Sequence, residues 1–133
     1  APNINTATAR VLDAAGISAV SIAAGCCGAV KYHLNDHSGG LAEMRANIDA
    51  WWPYIAPDSP SGVEAIVMNA SGCGSMVKDY GHALRHDPDY AAKAARVSEL
   101  TRDVSELLPM VLPGLKARVA QAATKPKLVF HPP

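Results

Sequence analysis

Gly25-Cys26-Cys27-Gly28 sets two adjacent cysteines between glycines, and Gly72-Cys73-Gly74 sets a third cysteine in the same way. These two stretches contain all three cysteines of the 133-residue chain. Each follows a short apolar run, at residues 17–23 and 63–68, of the kind typical of buried β-strands. We therefore predict that both cysteine turns lie directly after strands.

Helical segments are predicted between these strands and a third one at residues 127–130. Helical spacing of apolar residues, with capping residues and prolines, predicts helices at residues 3–15, 41–52, 73–85, 87–97, 98–108 and 116–123. Because the connections are long enough for right-handed crossovers, the strands should run parallel. The predicted fold is α/β, a small parallel sheet of about three strands flanked by helices in three Rossmann-like layers, forming a single domain over residues 1–133.

The cysteine turns are expected to meet at one edge of this sheet. In an open parallel sheet, ligands bind beyond the carboxyl ends of the strands. The three predicted strands run into Cys26 and Cys27, into Cys73 and into His131. Parallel strands bring these residues to a common edge, where the thiolates can share a metal ion or a cluster. Cys73 also begins a predicted helix, whose dipole favours the thiolate.

The glycines beside the cysteines have a physical use at such a site. Glycine lets the backbone approach a bulky inorganic core, adopts positive φ without strain and leaves main-chain N–H groups free to point at sulfur. We expect this of all four flanking glycines, Gly25, Gly28, Gly72 and Gly74.

Charge and composition exclude several classes of function. The formal net charge is +0 and no basic stripe is present, so nucleic acid is not an expected partner. There is no apolar run of bilayer-spanning length and no signal peptide. An odd number of cysteines, two of them adjacent, argues against a disulfide framework and favours a reduced, cytoplasmic chain. Clustered cysteines in that compartment indicate metal or redox chemistry.

The residues leave three chemistries open. The cysteines can hold an iron-sulfur cluster, or Cys26, Cys27 and Cys73 can form a structural zinc site with a histidine. Alternatively, Cys26 or Cys27 can attack a substrate disulfide in a thiol-disulfide enzyme. His33 and His131 are the candidate further ligands or hydrogen-bond donors. Nucleotide-binding glycine motifs, the serine-hydrolase motif and the zinc-protease helix motif are absent from the sequence.

The stretch Gly25-Cys26-Cys27-Gly28-Ala29-Val30-Lys31-Tyr32-His33 resembles the cysteine-rich CCG domain. That domain occurs in heterodisulfide reductase and in the iron-sulfur subunit of glycolate oxidase (glycolate dehydrogenase), and the resemblance to the latter is the closer. It extends over nearly the whole chain, through residues 41–52, Val67-Met68-Asn69-Ala70-Ser71-Gly72-Cys73-Gly74, Lys78-Asp79-Tyr80-Gly81-His82 and Phe130-His131-Pro132-Pro133.

The resemblance implies an electron-transfer domain that holds a 4Fe-4S cluster through its cysteines and has no complete active site of its own. The implied partners are flavin-bearing subunits that oxidise glycolate and the remainder of its own chain, in the cytoplasm or peripherally on the inner membrane. The family pattern has one further cysteine before residue 1 and another after Pro133. The chain is therefore expected to be an excised piece of a longer subunit, in which the cluster is absent or replaced by zinc.

Overall fold

A computed structural model describes residues 2–120 of the chain. Helices dominate this part. Its elements, in chain order, are α1 (Pro2–Ala14), α2 (Ala29–His33), α3 (His37–Ile55), β1 (Ile66–Met68), α4 (Ser71–Lys78), α5 (Tyr80–Ala83), α6 (Ala91–Leu100), β2 (Thr101–Asp103), a 3-10 helix (Val104–Leu107) and α7 (Leu108–Ala120).

The sheet is parallel, as predicted, but one of its strands is not where it was expected. Within residues 2–120 it consists of β1 and β2, with Ile66 opposite Thr101 and Met68 opposite Asp103. Residues 17–23 form no strand pairing, so the prediction of a strand there is wrong. They connect α1 to the loop at residues 24–28, which contains Cys26 and Cys27 and is called the cysteine loop below. The predicted third strand at residues 127–130 lies outside the described residues.

The strand β2 occupies a position where a helix was predicted. Thr101 leaves α6 in extended conformation, with φ −73° and ψ 130°, and its fully buried hydroxyl donates to the carbonyl oxygen of Val97 at 2.7 Å. Its backbone is then free to pair with β1, because the helix has ended. The helical spacing of apolar residues in the sequence gives no sign of this break between α6 and the 3-10 helix.

The longest helix, α3, supplies much of the core. Asp36 caps its start by accepting a hydrogen bond from the backbone N–H of Gly39 at 2.9 Å. Pro53 lies inside α3, and the helix ends at Ile55, within one turn of this proline. The buried face of α3 consists of Gly40, Met44, Asn47, Ile48, Trp51 and Ile55.

Two apolar clusters cover the sheet. The larger joins α3, α4, α5 and α6 and includes Cys27, and Ile66 and Met68 pack against it. The smaller lies between α1 and α7 around Leu12, and Val67 packs against it. Successive residues of β1 therefore face different helices, as the alternation of side chains along a strand requires.

The helix α7 contains two prolines, Pro109 and Pro113. Pro109 lies in the first turn of α7, where a backbone N–H has no intrahelical acceptor, so proline costs no hydrogen bond there. Pro113 lies farther along the helix. The predicted gap between a helix at residues 98–108 and one at residues 116–123 is therefore wrong. Among the helices of residues 2–120, none has both the length and the apolar composition needed to cross a membrane.

Candidate functional site

The cysteine loop lies against α3. Cys26 is exposed, whereas Cys27 is buried in the larger apolar cluster. Gly28 turns the chain into α2 with φ +85°, and a Cβ atom built on it would lie 2.8 Å from the carbonyl oxygen of Gly40 and 3.4 Å from Cγ of Met44. The loop can approach α3 this closely because residue 28 is glycine.

Two buried polar side chains fix the backbone of this loop. Asn47 of α3 accepts a hydrogen bond from Gly25 N–H at 2.8 Å and donates one to the carbonyl oxygen of Cys26 at 2.7 Å. The hydroxyl of Tyr80 donates to the carbonyl oxygen of Cys27 at 2.9 Å. Asn47 also donates to that hydroxyl at 3.1 Å, so two helices hold the loop through one network.

The third cysteine, Cys73, belongs to α4 and lies beside the same apolar cluster as Cys27. Cys73 lies in the first turn of α4, is partly buried and packs against the larger apolar cluster. The thiols of Cys26 and Cys73 lie near enough to Cys27 to affect the pKa of its thiol. All three cysteines lie close enough to Tyr80 for their negative charges to oppose its ionisation.

Burial dominates the electrostatics of this cluster. Burial raises the pKa of the Cys27 thiol, and its hydrogen bond and charge interaction with Cys73 raise it further. Burial also raises the pKa of Tyr80 to about 12, against a smaller lowering by the hydrogen bond from Asn47. At neutral pH, Cys27 is therefore a neutral thiol and Tyr80 a neutral hydrogen-bond donor.

The ligand types present fit a thiolate-bound metal or cluster, although the described residues do not form a complete metal site. Sulfur donors are the usual ligands of iron-sulfur clusters and of structural zinc. Among residues 2–120, however, no group of three or more His, Cys, Asp or Glu side chains is arranged to hold a metal ion. His33 is exposed on α2, with its ring edge-on to Tyr32 at 6.1 Å. His131 lies outside the described residues.

The flanking glycines differ in what they contribute. Of the four, Gly28 alone has positive φ. Gly74 packs tightly on β1, where a Cβ atom would lie 3.3 Å from Cβ of Met68. A Cβ atom at Gly25 would meet Asn47 at an ordinary 3.6 Å, and one at Gly72 would meet nothing within 4 Å. The expectation of positive φ is thus confirmed at one glycine and wrong at three.

A polar cleft lies beyond the carboxyl ends of β1 and β2, with a volume of about 260 Å³. Asp103 lines it and accepts hydrogen bonds from the hydroxyls of Ser71 at 2.9 Å and Ser105 at 2.6 Å. The hydrogen bonds from Ser105 have the largest effect and the one from Ser71 a smaller one, and both lower the pKa of the Asp103 carboxyl. Lys78, on the same cleft, pairs with Glu106.

Asn47 and Tyr80 are residues of the candidate site that the sequence analysis missed. Tyr80 was quoted only in a stretch that carries the family resemblance, and Asn47 was not singled out. The available signal is that Asn47 interrupts the buried face of α3 between Met44 and Ile48. A polar side chain at a core position is nearly always hydrogen-bonded, so it indicates a partner segment.

We expect Tyr80→Phe to change how stability depends on pH. A tyrosine whose pKa is about 12 when folded and about 10 when unfolded stabilises the fold below pH 10, and this contribution is lost as pH rises towards 12. Between pH 9 and pH 12 the free energy of unfolding of the wild type should fall by about 2 kcal/mol more than that of the variant. Urea unfolding at several pH values measures this, with Tyr54→Phe as the matched control. Parallel curves for wild type and Tyr80→Phe would contradict it.

Comparison with known proteins finds one family model and several relatives. The model of the family described as "Cysteine-rich domain" matches residues 1–78. The glycolate oxidase iron-sulfur subunit of Escherichia coli (strain K12) is 58% identical over 108 residues, which cover 80% of this chain and 26% of that protein. The probable glycolate oxidase iron-sulfur subunit of Bacillus subtilis (strain 168) is 33% identical over 105 residues, or 78% of this chain and 22% of that protein.

More distant relatives carry a different name. Lactate utilization protein A of Bacillus licheniformis is 26% identical over 131 residues, which cover 97% of this chain and 50% of that protein. The chain thus spans about a quarter of the length of the two glycolate oxidase subunits and half of this one. No solved structure matches the chain significantly.

Proposed function

Because the chain belongs to the cysteine-rich domain family, we propose that it is an electron-transfer domain whose cysteines bind an iron-sulfur cluster. The observation that carries this proposal is that Cys27, next to Cys26 in the chain, lies in the larger apolar cluster, and that Cys73 of α4 packs against the same cluster. Thiolates are the ligands by which proteins hold such clusters. The name of the E. coli relative as an iron-sulfur subunit supports the same assignment.

The three cysteines would supply three thiolates to a 4Fe-4S cluster, which takes four ligands. The remaining ligand would come from outside the described residues. When bound, such a cluster accepts and passes on single electrons. The chain's own residues have separate tasks. Asn47 and Tyr80 fix the backbone of the cysteine loop, and the apolar cluster around Cys27 keeps water away from one side of the site.

The proposed partners follow from the names of the relatives. A glycolate oxidase needs a subunit that oxidises the 2-hydroxy acid, and we propose that this is a flavin-bearing subunit that passes its electrons to the present domain. Residues 1–133 would act as one domain without catalytic residues for the oxidation itself. The complex would lie in the cytoplasm or peripherally on the inner membrane.

Iron analysis of cysteine variants tests the proposal. The protein is expressed from its complete open reading frame and purified without oxygen, and iron, zinc and acid-labile sulfide are measured together with the visible charge-transfer band. We expect Cys27→Ser and Cys73→Ser each to lose most of the iron bound at this site, because each removes a thiolate ligand. Ala24→Ser, an exposed change in the same loop, should retain the wild-type content.

The alternatives give different results in the same assay. Wild-type iron and absorption in both cysteine variants would overturn the proposal. Zinc in place of iron, lost in the same variants, would indicate a structural zinc site instead. Turnover of a disulfide substrate by metal-free protein would indicate a thiol-disulfide enzyme.

A further inference from the structure

Two consecutive peptide units of the cysteine loop are held by their carbonyl groups. The side-chain amide of Asn47 donates to the carbonyl oxygen of Cys26 at 2.7 Å, and the hydroxyl of Tyr80 donates to that of Cys27 at 2.9 Å. Asn47 is 1% exposed and Tyr80 is fully buried, so water does not compete for these hydrogen bonds. The helices α3 and α5 therefore fix the orientation of both peptide units.

The N–H groups of these peptide units are fixed at the same time. In a planar trans peptide the carbonyl and the N–H point in opposite directions, and none of the described peptide bonds is cis. The N–H of Cys27 therefore points away from Asn47, and the N–H of Gly28 points away from Tyr80. Among residues 2–120, neither N–H has a hydrogen-bond acceptor, although both residues are buried. Buried N–H groups are nearly always bonded, so these two indicate an acceptor from outside the described residues.

Packing prevents this part of the loop from turning over. A Cβ atom built on Gly28 would lie 2.8 Å from the carbonyl oxygen of Gly40, so the backbone of the loop lies directly against α3. The carbonyl of Gly28 is also occupied, because it accepts a hydrogen bond from the N–H of Tyr32 at 3.0 Å. All three carbonyl groups of residues 26–28 are thus bonded to protein donors, which leaves N–H groups to meet a ligand.

We propose that Asn47 and Tyr80 are positioning residues that present the N–H groups of Cys27 and Gly28 to the sulfur atoms of the bound cluster and thereby raise its reduction potential. Hydrogen bonds to sulfur favour the reduced state, because that state carries one more negative charge. A peptide unit turned over would offer its carbonyl oxygen instead and favour the oxidised state. Each of the two side chains acts through a peptide unit. This inference rests on the proposed function.

Redox titration tests the inference in protein expressed from the complete open reading frame and purified without oxygen. The signal of this site is the part of the electron paramagnetic resonance spectrum that Cys73→Ser removes. We expect Tyr80→Phe, which lacks only the hydroxyl, to retain iron and to shift the midpoint potential of this signal to a more negative value. Tyr54→Phe should leave the potential unchanged. Leu84→Ala, a core change after the end of α5, should lower stability and also leave the potential unchanged.

A second measurement needs no change in the loop. When the cluster is assembled in D2O, pulsed electron paramagnetic resonance of the reduced wild type should detect deuterons coupled to the signal of this site, because the N–H groups at sulfur have become N–D. We expect this coupling to be weaker in Tyr80→Phe. If Tyr80→Phe loses its iron, the coupling in the wild type decides.

The possible outcomes separate this inference from the proposed function. A wild type without iron at this site would overturn the proposed function and the inference with it. Wild-type iron and an unchanged potential in Tyr80→Phe would overturn the inference alone, as would a wild-type signal with no coupled deuteron. An equal negative shift in Leu84→Ala would assign the effect to a general loosening of the core, which also overturns the inference.

Discussion

Replacing Gly28 by alanine is expected to lower the free energy of unfolding by about 2–4 kcal/mol, a large share of the stability of a small domain. Two causes act together. The φ of +85° is unfavourable for any residue with a Cβ atom, and that atom would lie 2.8 Å from the carbonyl oxygen of Gly40. Relief requires the cysteine loop to move away from α3. Urea unfolding of both proteins measures the loss.

Gly72→Ala is the matched control, because Gly72 also flanks a cysteine. A Cβ atom there would meet nothing within 4 Å, and the residue lies in the first turn of α4. We expect its stability to be unchanged or higher by up to about 1 kcal/mol, since alanine favours helix over glycine. Equal losses in the two variants would show that the close approach at Gly28 does not determine the fold of the loop.

Asn47→Ala is expected to cost about 2–4 kcal/mol and to expose Cys27. Asn47 is 1% exposed and makes three hydrogen bonds, to Gly25, Cys26 and Tyr80. Alanine removes all three and leaves a small cavity. Because the loop is then held mainly through Tyr80, the Cys27 thiol should react faster with a thiol reagent. Urea unfolding and the rate of thiol labelling give the two readouts.

The control for this change is Asn3→Ala, at an exposed position of α1. Its stability should stay within about 0.5 kcal/mol of the wild type, as is usual for surface substitutions. Labelling of Asn47→Ala at the wild-type rate would contradict the role given to Asn47, even if stability falls, because a general packing defect lowers stability without releasing this loop.

The sequence predicts the longer helices better than the strands. The start of α1 and the buried face of α3 follow from apolar periodicity, which extends over several turns in each. Strands β1 and β2 have three residues each, too few for a pattern. The run at residues 17–23 is apolar enough for a strand, yet strand formation depends on a neighbouring backbone that local composition does not show.

The candidate cysteines could be named from the sequence, while the residues that hold their loop could not. Their glycine-flanked settings predicted Cys26, Cys27 and Cys73 as one group, and in the structure Cys27 lies in the larger apolar cluster, against which Cys73 packs. The hydrogen bonds of Asn47 and Tyr80 join segments more than 20 positions apart. Such contacts follow from how the helices pack and have no local motif.

Asp103 has a consequence for what the carboxyl edge of the sheet can bind. In many open α/β folds this edge, with the start of the following helix, binds phosphate groups. Here the carboxylate of Asp103 already accepts a hydrogen bond from Ser71, the first residue of α4, and its lowered pKa keeps it negative. We expect it to repel nucleotides and other phosphate esters from the cleft. The negative charge of Asp103 therefore makes this edge less favourable for phosphate groups.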